Sequence, residues 1–135
     1  MKKGLNFISL IIITSSLLIL VCQKGGSSAD SQYSKIDSSG VITVSVQPVM
    51  VSNSSIEFSV TFSTHSVPLD QFDLKQLITL KTDDGEIHPY YVPDFSSHHG
   101  SGSVIFKLVK PVKTIYLTVR NIPDNPERIF KWDLK

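Results

Sequence analysis

Four large apolar residues at every second position, Ile56, Phe58, Val60 and Phe62, alternate with Glu57, Ser59, Thr61 and Ser63. Side chains two apart share a face of an extended strand, so this segment separates apolar from polar only as a β-strand. Wound as a helix it would scatter the same residues around the axis. The alternation recurs at Ile42, Val44 and Val46, at Val104, Phe106 and Leu108, at Ile115, Leu117 and Val119, and at Phe130, Trp132 and Leu134. Residues 77–82 and 86–92 flank Asp83-Asp84-Gly85, a hairpin signal because glycine tolerates the positive φ of a tight reversal.

No segment sustains a 3.6-residue period, and the one helical candidate, residues 70–77, is a turn or two long. Pro48, Pro89, Pro111, Pro123 and Pro126 fall at expected strand ends, edges or loops, where a missing N–H costs little. The pattern predicts an all-β fold, a seven-stranded antiparallel immunoglobulin-like sandwich behind an N-terminal signal or anchor helix. Its expected core comprises Val44, Val46, Phe58, Val60, Phe62, Leu80, Phe106, Leu117, Val119, Phe130 and Trp132.

The first 22 residues obey a different rule. Lys2 and Lys3 precede an apolar run over residues 5–21, and Cys22, the single cysteine of the 135-residue chain, closes it. Charge followed by an apolar run is the order of a secretory signal, and the run is slightly short for a permanent span of about 20 residues. The segment resembles a bacterial lipoprotein signal, which implies that Cys22 becomes the acylated first residue of the mature chain. Val21 departs from the small residue usual before such a cysteine, so an uncleaved membrane anchor and plain secretion remain open. Every alternative places the domain in the bacterial cell envelope, outside the inner membrane. Gln23 rather than Asp after the cysteine favours the outer membrane, by resemblance to the enteric sorting rule.

Residues 23–40 are rich in Ser and Gly and nearly lack large apolar side chains, which predicts a flexible tether ahead of a folded domain at 41–135. The charge balance, 13 basic against 12 acidic residues, offers no basic stripe for phosphates and excludes a dedicated nucleic-acid binder. Loss of Lys2 and Lys3 with the signal leaves a net charge of −1. A lone cysteine excludes an internal disulfide framework and a Cys-rich zinc site.

Strand parity turns this order into geometry. If each strand reverses direction, the loops after the second, fourth and sixth expected strands share one pole. These loops carry His65, the pair His98 and His99, and Asp124, while His88 lies on a strand. The strings Thr64-His65-Ser66-Val67 with Leu69, Asp73-Leu74, His98-His99 with Gly102, and Arg128 with Phe130 and Trp132 resemble a class of bacterial exported β-sandwich lipoproteins of uncharacterised activity. The resemblance spans most of residues 41–135 and implies a fold and a location but no chemistry. The glycine common before the histidine pair is Ser97 in this chain.

Neutral imidazoles suit copper and zinc, so His65, His98 and His99 with Asp124 form a candidate metal set, with Asp70, Asp73 and Asp94 within the same loops. Adjacent His98 and His99 reach one ion only if the backbone kinks, which Gly100 and Gly102 would permit. The competing expectation is structural: a histidine after a strand pins its loop by a hydrogen bond, while Thr64, Ser66 or Asp73 caps a short turn. No catalytic constellation is legible. Gly100-Ser101-Gly102 lacks the strand-to-helix setting of a nucleophile elbow, and Asp83-Asp84 sits in a hairpin turn. Lys107, Lys110 and Lys113 read as a solvated face close to an anionic membrane. The expectation is therefore a non-catalytic, envelope-tethered module without a cofactor, held to the membrane and binding another envelope protein; the alternative is a copper- or zinc-binding protein.

Overall fold

A computed structural model describes residues 33–134. The apolar run, Cys22 and the tether up to residue 32 lie outside the described residues. Two four-stranded antiparallel sheets make the fold. The first orders β1 (Lys35–Asp37), β2 (Ile42–Val51), β3 (Ser55–Thr64) and β6 (His99–Lys107); the second orders β5 (Gly85–Ile87), β4 (Ile78–Thr82), β7 (Thr114–Ile122) and β8 (Asn125–Asp133).

The period-2 residues of both sheets meet between them. Val44, Val46, Phe58, Val60, Phe62, Leu80, Phe106, Leu117, Val119, Phe130 and Trp132 are all buried. The Phe58 ring lies 5.4 Å from Trp132 across the core and 5.9 Å, edge on, from Phe106 beside it, geometries that aromatic quadrupoles favour. The helical candidate resolves into a 3-10 turn, Leu69–Gln71, and the single turn α1 (Leu74–Leu77), whose N-cap Asp73 accepts from the Lys75 N–H at 3.0 Å.

Three expectations are corrected. There are eight strands among the described residues, because β1 pairs Lys35 with Val46 and Asp37 with Val44 inside the stretch expected to be tether. The indole N–H of the buried Trp132 donates to the Tyr33 carbonyl at 2.7 Å, which ties residues before β1 to the core. The strand expected over residues 86–92 stops at Ile87, and its continuation crosses to the first sheet, where Tyr91 bridges Ile105. Finally, β6 begins at His99, so that residue is strand rather than loop.

The register defines two poles. Ile42 pairs with Thr64 and Ser63 with His99 at one end; Val51 pairs with Ile56 and Ser55 with Lys107 at the other. Tyr33, where the described chain begins, lies at the second end beside Val49, Met50 and Leu134.

Candidate functional site

The histidine pole is built on a tight turn. Ser96 bridges His99, leaving Ser97 and His98 at the centre, and Ser97 takes φ +61°. That left-handed conformation favours glycine, so Ser97 holds the glycine's backbone geometry with a side chain attached. Its hydroxyl meets His98 Nδ1 at 3.1 Å. Two backbone bonds lock the turn to its neighbours: the Thr64 N–H donates to the His98 carbonyl at 2.9 Å, and the Leu69 N–H to the Ser97 carbonyl at 2.7 Å. Thr64 Oγ1 accepts from the N–H groups of Ser66 and Val67 at 3.3 Å and shapes the loop carrying His65.

Below the turn, Phe95 packs inward, its ring 5.4 Å from Phe62. It occupies the space a side chain at Gly100 would need, since a Cβ there would lie 2.2 Å from the ring. Gly102 leaves the same kind of recess for Pro93. These glycines do not kink the backbone to swing two histidines onto one ion; they let the crossing segment settle on β6.

Cross-strand register then selects which histidines meet. Ser63 opposes His99 and its hydroxyl lies 2.9 Å from His99 Nδ1. The His65 ring stands edge on to His99, centroids 6.2 Å apart. His98 faces Ser97 instead, and His88 Nδ1 meets the Lys75 carbonyl at 3.2 Å, away from the group. Asp124 shares the pole but is a turn residue: with φ +63° after Pro123 it holds the left-handed position of the β7–β8 reversal. Its Cβ packs beside Gly40. Among the described residues no group of three or more His, Cys, Asp or Glu side chains gathers at ion-binding range.

Beside Asp124 stands the feature that sequence reading missed as a structural device. Arg128, 1% exposed, donates through Nη2 to the carbonyls of Ser39 and Ile42, both at 2.9 Å. Its Nε approaches Asp37 at 3.5 Å, an ion pair too long for a hydrogen bond, and among the described residues Nε and Nη1 have no hydrogen-bond partner. Burial pushes the Asp37 carboxyl up, but the Ser39 hydrogen bonds and the Arg128 charge outweigh it and hold the group below its ordinary range. One guanidinium thus joins β8 to the β1–β2 connection and closes the side of the sandwich. Period 2 places Arg128 on the face of Phe130 and Trp132, but its charge argues against the interior, and the carbonyls of Ser39 and Ile42 that receive it are distant in sequence.

No family model matches this chain, and no curated protein or solved structure matches it, so geometry alone carries the assignment of this pole.

Proposed function

We propose that this chain is an exported, non-catalytic binding module of the bacterial envelope, an immunoglobulin-like sandwich tethered through lipidated Cys22 or an uncleaved N-terminal helix. The two interleaved sheets support the immunoglobulin-like assignment: β2, β3 and β6 face β5, β4, β7 and β8, with successive hairpins interrupted by crossovers between sheets. One observation carries the binding role. The pole bearing His65, Ser97, His98 and His99 is exposed or half-exposed yet held by two backbone bonds and the Phe95 anchor. A polar surface ordered in advance loses little entropy on association, which suits it to a protein partner. On this reading the Ser63–His99 contact is structural, a cross-strand hydrogen bond that fixes the imidazole on the β3–β6 ladder. Photo-crosslinkers placed at His65 and His99 in intact envelopes should give one discrete adduct that is missing when the crosslinker is at Lys75. Equal labelling from all three positions would sink the assignment.

The approach of His65 to His99 supports a second reading, a copper or zinc site that borrows His98 or Asp124 when the loops adjust. Titration of the full chain with Cu²⁺ and Zn²⁺, beside a His98→Ala/His99→Ala variant, decides it. Micromolar binding lost in a folded variant establishes the metal; no binding in the parent removes it.

A further inference from the structure

We propose that the pole opposite the histidine turn seats the domain directly on the anionic lipid surface that holds its N-terminus, an inference that rests on the tethering proposed above. Three observations at that end converge. The first is apolar exposure where a soluble tip would be polar. Val109 is 94% exposed at the β6–β7 loop, and Val49, Met50 and Val51 are about half exposed at the end of β2. The two loops are one surface, since the Leu108 N–H donates to the Ser54 carbonyl at 2.8 Å.

The second is charge. Lys107, Lys110 and Lys113 bracket Val109 within seven residues, and no acidic residue occurs between Phe95 and Pro123. Lys107 Nζ lies 3.5 Å over the Tyr90 ring, which holds its ammonium at the rim, and Lys113 forms no ion pair among the described residues. Two of the pole's carboxylates are engaged: Asp84 pairs with Lys110 at 2.6 Å and Asp133 with Lys131 at 3.6 Å, while Asp83 stands in the turn beside them. An apolar tip ringed by lysines is the chemistry that recognises phosphate headgroups over an acyl layer.

The third is the chain itself. The described residues begin at this pole with Tyr33, and residues 23–32 separate it from Cys22. Even fully extended, that stretch reaches no more than about 35 Å, so in an anchored chain this end is the one joined to the bilayer, with the far pole a strand length beyond it. Seated this way, the domain points its histidine pole outward, where the proposed partner would find it.

The test uses the full wild-type chain reconstituted in phosphatidylglycerol-containing vesicles and, separately, in phosphatidylcholine vesicles. Flotation is followed by amine-reactive footprinting read by mass spectrometry. Each lysine at an anionic surface raises the seated population about fivefold, so Lys107, Lys110 and Lys113 should be protected severalfold in the anionic vesicles while Lys75 is unchanged. Val109→Asp should abolish the protection without preventing flotation or changing Trp132 fluorescence. Flotation with both lipids and equal modification of all lysines would overturn this proposal alone. Failure to float with either lipid would overturn the tether as well. Protection that persists in detergent micelles would assign the face to a second copy of the chain, and would equally overturn it.

Discussion

Replacing Gly100 by alanine tests how the histidine turn is held. The added Cβ would sit 2.2–2.6 Å from three atoms of the Phe95 ring, far inside van der Waals contact. That ring is buried against Phe62 and its backbone leads directly into Ser96 and Ser97, so it can yield only by lifting the turn. Overpacking of this kind costs about 1–3 kcal/mol, and relief of glycine's unfolded-state entropy returns about 0.5–1. A net loss centred on about 1 kcal/mol and no greater than about 2.5 follows, and Tm falls by about 4–8 °C for each kcal/mol in a domain of about 100 residues. Urea unfolding of the full chain in mild detergent reports it through Trp132, the only tryptophan, with an unchanged m-value. In a Phe95→Ala background the alanine methyl has room, so the two substitutions should be non-additive by at least about 0.5 kcal/mol. Gly100→Ala as stable as the parent, or strictly additive with Phe95→Ala, would refute the account of this glycine as a recess.

Phe58→Ala removes the ring between Phe106 and Trp132 and should cost about 3–5 kcal/mol, seen as a collapse of the cooperative urea transition. Arg128→Ala strips the acceptors Ser39 and Ile42 of their donor and leaves Asp37 without its cation; a loss of about 3 kcal/mol or more is expected, with early hydrogen exchange in residues 35–42. Glu86 reports on pH. Hydrogen bonds from Arg120, at 2.8 and 3.2 Å, hold its carboxyl below the ordinary 4.5. A depressed acid binds its proton more tightly in the unfolded chain, so its stabilisation is full above pH 4.5 and fades as the pH falls through the folded value. Because the carboxylate is 39% exposed, Glu86→Gln should cost under about 1 kcal/mol at pH 7 and converge with the parent in acid; a pH-independent difference in Tm contradicts the pairing.

The core was legible because period 2 is a strong signal over strands as long as β3, and every residue expected inside is inside. The sharing of one pole by the histidine loops followed from strand parity alone. What could not be read depends on partners distant in sequence. Lys35-Ile36-Asp37 shows no alternation worth the name; it is a strand because β2 offers an open edge and Trp132 needs an acceptor. Gly100 and Gly102 looked like loop punctuation, yet they lie in β6, emptied of side chains so that Phe95 and Pro93 can fill the gap. The meeting of His65 with His99 depends on the Ser63–His99 register, which no local pattern encodes.

The short strand β1 has a mechanical consequence. It is the first strand of the described residues, lies at a sheet edge, and is held lengthwise by three residue pairs with β2, the Trp132 bond and the Arg128–Asp37 link. A force applied between Tyr33 and the far pole would run along the strands, so these links would be sheared together instead of being unzipped in turn. They form a much shorter joint than the ladder that β2 and β3 share. When the joint slips, residues 33–40 pay out as extra chain, and β2, β3 and the sheet behind them remain paired. Under such a load the chain ahead of β2 would lengthen by up to about 25 Å before the sheets part.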